Sequence, residues 1–167
     1  MNRIQMLKKV NMEKEFLKMM VDHQNIIHKV CRIYRNTIED QEDLFQEIIF
    51  QLWKSYPNFR SQSKVSTWMY RIALNTALSS FRKHLPQVDY TEEIPEKTDF
   101  IYEQAATENE EKLFDAIRKL NDAEKAIISL YLEDYSYREI SEIIGISESN
   151  VGVRINRIKS KLINILN

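Results

Sequence analysis

Glycine occurs only at positions 145 and 152, and proline only at 57, 86 and 95, in a chain of 167 residues. Tight turns are built largely from these two residues. Their scarcity leaves room for helices joined by short polar connections and for little else, so the chain is expected to be all-α. At this length it folds as one domain or as two small ones.

Hydrophobic spacing places the helices. In EDQEDLFQEIIFQLWKSYPNF, the residues Phe45, Ile48, Ile49, Leu52, Trp53 and Tyr56 share one side of a helix, while Asp40, Asp43, Glu47 and Gln51 fall on the other. The polar loop RSQSKVS follows, and then TWMYRIALNTALSSFRKH. Here Tyr70, Ala73, Leu74, Ala77 and Phe81 make the inward stripe, and Trp68, Arg71, Asn75, Ser79 and Arg82 line the outward face. A large aromatic beside guanidiniums and an amide suits base stacking and phosphate contact on single-stranded nucleic acid.

The segment SYREISEIIGISESNVGVRINRIKSKL reads as a helix-turn-helix. Ser136 and Glu139 form a capping-box pair that starts a helix at Tyr137. Gly145 stops it, because glycine takes a left-handed conformation without penalty. Ser147 caps a second helix with Val151, Ile155, Ile158 and Leu162 inward. The front of that helix carries Ser149, Val153, Asn156, Arg157 and Ser160, flanked by Asn150, Arg154 and Lys161. Such a face supplies groups for base edges, cations for phosphates and a methyl-sized contact for thymine.

A net charge of −1 hides strong segregation. From Arg60 to Lys83 there are five basic residues and no acidic one, and from Arg154 to Lys161 four basic and none acidic. Part of the opposing charge sits in PQVDYTEEIPEKTDFIYEQAAT, residues 86–107, which reads as an acidic linker between two helical domains, 11–85 and 108–167.

With both basic faces in place, the chain resembles a bacterial RNA polymerase sigma factor of the sigma-70 family, in its extracytoplasmic-function group. EDQEDLFQEIIFQLW is similar to the family's core-polymerase-binding helix, STWMYRIALNTALSSFRK to its minus-ten helix, and LNDAEKAIISLYLEDYSYREISEIIGISESNVGVRINRIKSKL to its minus-thirty-five reader. The resemblance spans roughly residues 20 to 84 and 110 to 165. It implies docking on core RNA polymerase by Asp40, Asp43, Leu44, Gln46 and Glu47. It implies minus-ten recognition by the loop Arg60, Ser61, Gln62, Ser63 and Lys64 with Trp68, Arg71, Asn75 and Arg82. Minus-thirty-five recognition falls to Ser149, Asn150, Val153, Arg154, Asn156, Arg157 and Lys161. Promoter DNA, double-stranded upstream and single-stranded at the minus-ten element, and an anti-sigma factor are the further partners it implies. The linker, on the same resemblance, threads the channel that later carries nascent RNA. Three departures stand out. The melting site has Trp68 with Lys64 and Val65 just before it and Phe59 upstream, in place of a fuller aromatic cluster. Gly152 stands where many relatives have lysine, and Asn121 where a proline is common.

Other functions find less support. His23, His28 and His84 are scattered, away from cysteines or carboxylates at ligand spacing, so neither a metal nor another cofactor is expected. No Gly-rich phosphate loop occurs, and no enzymatic activity is expected. The single cysteine, Cys31, fits a reducing cytoplasm and reads as an inert buried thiol. The basic N-terminus, with Arg3, Lys8, Lys9, Lys14 and Lys18, reads as a frayed start leading into the first helix, and no apolar run is long enough for membrane insertion. A free-standing helix-turn-helix regulator explains only the C-terminal segment. A helical interaction protein leaves both basic faces without a role.

Overall fold

A computed structural model describes residues 2–82 and 107–167, without the side chains of 80–82, so the side chains of Phe81 and Arg82 and the acidic linker up to residue 106 lie outside the described residues. Among these residues seven α-helices follow in order: α1 Arg3–Tyr34, α2 Ile38–Ser55, α3 Val65–Arg82, α4 Glu108–Arg118, α5 Asp122–Leu132, α6 Tyr137–Ile144 and α7 Glu148–Leu166. A short 3-10 turn, Tyr56–Asn58, carries Pro57 after α2. Among the described residues there is no strand.

Side-chain caps fix most of the helix starts. Thr37 Oγ1 accepts from the Asp40 backbone N–H at 3.1 Å, and Glu39 and Asp40 in the first turn of α2 complement the helix dipole. Thr107 with Glu110, Asn121 with Glu124 and Ser136 with Glu139 form reciprocal capping boxes at α4, α5 and α6. Asn121, in place of the common proline, thus satisfies a backbone donor by accepting from Glu124 N at 2.9 Å. Gly145 ends α6 at φ +82°, the left-handed region expected of it. The N-terminus departs from expectation: α1 is a continuous helix from Arg3, and the first core side chain along it is Phe16.

α1, α2 and α3 pack on one another as a bundle. Ile27, Ile48, Leu52, Met69 and Ala73 are completely buried within it. Truncating such an aliphatic residue to alanine typically costs about 2 to 5 kcal/mol. Cys31 lies in the same core, where burial pushes its thiol up to about 12 and keeps it from reacting as a thiolate. α4, α5, α6 and α7 enclose a second group, centred on Ile117, Ile127, Leu130, Ile140, Val151, Ile155 and Ile158.

The two groups touch, because α1 also packs against α4 and α5. Tyr34 donates its hydroxyl to the Asp122 carbonyl at 3.1 Å, and Arg118 Nε donates to the Arg32 carbonyl at 2.8 Å. The Arg32 guanidinium sits 4.0 Å above the Phe114 ring.

Candidate nucleic-acid and polymerase interfaces

α3 presents the outward face expected of it. Arg71, Asn75 and Ser79 are exposed, while Tyr70, Ala73, Leu74 and Ala77 are buried. Trp68 lies between these extremes. It is half-buried, with its ring 4.6 Å from Phe59 and 6.4 Å from Tyr56. Tyr56 continues to Phe16 at 5.3 Å, and Phe16 to Trp53 at 4.9 Å, so the tryptophan belongs to an aromatic run that reaches the buried Phe16. Offset and edge contacts of this kind add stability beyond simple burial and hold the rings in place. The sequence pattern showed the polar face but not this support, since Tyr56, Phe59 and Phe16 lie outside α3.

The preceding loop feeds straight into the helix, because the Lys64 carbonyl accepts the Trp68 backbone N–H at 3.1 Å. Arg60, Ser61, Gln62, Ser63 and Lys64 are all exposed. Ser61 takes φ +53°, which is costly for a residue with a Cβ, and strain of this kind clusters where a loop must hold a binding shape.

On α2, Asp40, Asp43 and Gln46 point to solvent, and Glu47 is half-buried while accepting from Gln51 Nε2 at 3.0 Å. Leu44 departs from the expected docking set. It is 3% exposed, because it lies a turn from Ile48 on the inward stripe, and it helps to hold the helix against the core.

Along α7 the inward set is Val151, Ile155, Ile158 and Leu162, as its spacing required. Ser149, Asn150, Val153, Asn156, Arg157 and Lys161 are exposed, with Val153 at 49%. Arg154 is half-buried and donates to Asn150 Oδ1 at 3.2 Å, so the two flank residues hold each other. Lys161 reaches back to Glu124 on α5. Partial burial works against the charged form of Glu124, but hydrogen bonds from Lys161 and the Asn121 backbone outweigh it and hold the carboxyl below its usual range. Lys159, which the spacing did not single out, donates to the Tyr131 hydroxyl at 2.7 Å and lies over that ring.

Gly152 has a packing reason. A Cβ there would come 3.3 Å from Tyr137 Cε2, so the bare backbone lets the first turn of α6 lie close against α7.

Family models match both parts of the chain, Sigma-70 region 2 over residues 19–85 and Sigma-70, region 4 over residues 110–162. The ECF RNA polymerase sigma-E factor of Haemophilus influenzae is 30% identical, over 91% of this chain and 87% of that protein. This chain belongs to the extracytoplasmic-function group of the sigma-70 family. Another relative of this sigma factor, the ECF RNA polymerase sigma factor SigW of Bacillus subtilis, is 27% identical over 93% of the chain and 90% of that protein. The fold agrees with a solved sigma factor, RpoE in complex with the anti-sigma factor NepR from Bartonella quintana, at a TM-score of 0.70 and 17% identity over 92% and 97% of the two chains. CnrH in complex with the cytosolic domain of CnrY matches at 0.66 and 19%, over 92% and 88%.

Among the described residues, no cluster of His, Cys, Asp or Glu is arranged to hold a metal ion, and no helix is long and apolar enough to cross a membrane.

Proposed function

We propose that this sigma factor docks on core RNA polymerase through the exposed acidic face of α2, with Asp40, Asp43, Gln46 and Glu47 as the contacts. The loop Arg60–Lys64 with Trp68, Arg71 and Asn75 engages the single-stranded minus-ten element. Ser149, Asn150, Val153, Arg154, Asn156 and Arg157 on α7 read the duplex minus-thirty-five element, with Lys161 contributing charge. The chain carries no chemical step of its own: it contributes recognition and strand opening in the cytoplasm, where polymerase and promoter are. The working units are 11–85 and 108–167, joined by 86–107. An anti-sigma factor is the proposed regulator, in keeping with the solved relatives, which are complexes of that kind.

One observation carries this reading. The half-buried Trp68 ring at the start of α3 is in contact with Phe59 and Tyr56, beside exposed Arg71 and Asn75. A rigid ring flanked by a cation and an amide accepts a base unstacked from duplex DNA, and each such stack typically contributes about 1 to 3 kcal/mol. Transcription from a promoter library by core polymerase, with and without this chain, is the test. Chain-dependent starts with shared sequence at both upstream positions are expected, and none would refute the assignment.

A further inference from the structure

The solvent face of α7 carries two side chains that the fold does not use. Val153 is 49% exposed, and valine is a poorer helix former than alanine because its branched Cβ loses rotamer freedom against the preceding turn. Asn156 is exposed too, and asparagine is another weak helix former. Its backbone carbonyl accepts from Ser160 Oγ at 3.1 Å, but among the described residues its side-chain amide has no hydrogen-bond partner. Each residue therefore leaves its functional group, methyls in one case and a carboxamide in the other, for something outside the chain.

The groups around them are held. Ser149 Oγ lies 3.3 Å from the capping Ser147 Oγ, while Arg154 donates to Asn150, Lys159 to Tyr131 and Lys161 to Glu124. Cations fixed along the flanks of a helix meet phosphates, and such contacts orient the helix without choosing a sequence. Sequence choice falls to what stands between the flanks, Val153 and Asn156 together with Arg157.

Chemistry narrows what the first two can read. In the major groove thymine presents a C5 methyl that apolar side chains contact, and adenine presents the N7 acceptor beside the N6 amino donor, which a carboxamide meets with two hydrogen bonds. Neither guanine nor cytosine carries a methyl, or an acceptor and a donor side by side on one base edge. Three residues along an α-helix advance about 4.5 Å, close to the rise of about 3.4 Å between base pairs, so the two side chains fall on neighbouring pairs.

We propose that α7 reads a thymine through the Val153 methyls and an adenine at the adjacent pair through the Asn156 carboxamide, so that the upstream element contains an A·T step at this place. This rests on the sigma-factor reading and adds to it the bases that the helix selects.

A promoter library randomised upstream, transcribed by core polymerase with the full chain, tests it. T and A should be enriched at neighbouring pairs, and Val153→Ala should erase the first preference and Asn156→Ala the second, each leaving the other intact. On the selected promoter, deoxyuridine in place of that thymine removes only the methyl. It should weaken holoenzyme binding about three- to fivefold with the parent chain and leave Val153→Ala unaffected. 7-Deazaadenine, which removes the N7 acceptor, should weaken the parent about three- to tenfold and leave Asn156→Ala unaffected. Both variants should melt at or above the parent temperature, because alanine is the better helix former. A lower melting temperature, a G·C pair enriched at either position, or analogue losses equal in parent and variant would overturn the proposal. Failure of the sigma-factor reading shows separately, as absence of chain-dependent transcription from every library member. The same library captured by the full chain alone at low salt still reports base preference in that case, and no enrichment of the A·T step there would overturn this proposal as well.

Discussion

Trp68 rests on Phe59, ring centroids 4.6 Å apart and planes tilted by 32°. The brace comes from a residue outside α3, so the position of the indole depends on the loop before it. Trp68→Ala should slow open-complex formation on duplex promoters, losing about 1 to 3 kcal/mol for one stacked base. Phe59→Ala leaves the indole in place but unsupported, and should show part of that loss. Both defects should shrink on a template with a pre-melted bubble. Equal defects on the two templates, followed by permanganate footprinting, would assign Trp68 to packing alone.

Asp43 is exposed and Glu47 lies one turn further along α2 on the same side. Reversing both to lysine should leave the circular dichroism spectrum and melting temperature close to the parent, since surface changes usually stay within about 0.5 kcal/mol. Affinity for core polymerase should fall at least tenfold. Leu44→Ala should do the opposite, lowering the melting temperature through core loss, because that side chain is buried. Unchanged polymerase affinity in the folded double variant would place docking elsewhere.

On α7, Asn156 and Arg157 face solvent, whereas Lys161 is already paired with Glu124. Asn156→Ala should relax sequence preference upstream, by about 1 to 3 kcal/mol for a base-edge contact. Arg157→Ala should relax the same preference by a similar amount. Lys161→Ala should weaken all sequences alike, with a reduction in salt slope of less than about one unit because the ammonium is shared with a carboxylate. Holoenzyme binding to promoter variants across a salt series reads all three.

His28 stacks on Phe45 with centroids 4.6 Å apart, and burial holds its pKa below the ordinary value of 6.5. In the window below pH 6.5 the unfolded chain takes up a proton that the folded chain resists. The stability contributed by the neutral ring is therefore complete above pH 6.5 and is lost as pH falls toward the folded value. Thermal melts should show a lower midpoint at pH 5.5 than at 7.5, and His28→Leu should flatten that difference. Parallel profiles for the two proteins would show that other groups set the acid limit.

Much of this was legible in the residues. Ser136, Glu139, Gly145 and Ser147 announced the helix-turn-helix because capping is local chemistry, settled within a few positions of chain. The α3 faces followed from periodicity alone. Leu44, placed in the docking set by resemblance, is buried in the chain, in keeping with its spacing of one turn from Ile48 on the inward stripe. The Asn121 box lay in plain view with Glu124 three residues on, but the position was read against the family's proline. What sequence could not reveal was the contact between the two helical groups: Lys29 pairs with Glu133, 104 residues away, and Arg32 with Glu111, 79 away, and such pairs leave no periodic trace. Nor could it show that Trp68 leans on Phe59, because aromatic contacts through a loop depend on where the loop turns.

The contact of Gly152 with Tyr137 changes how related chains should be compared. A lysine at position 152 would add a cation and would also bring its Cβ to 3.3 Å from Tyr137 Cε2, so the tyrosine ring would have to give by a few tenths of an ångström. Positions 137 and 152 are therefore sterically coupled, and the fit of a lysine at 152 depends on how far the half-exposed tyrosine ring can turn aside.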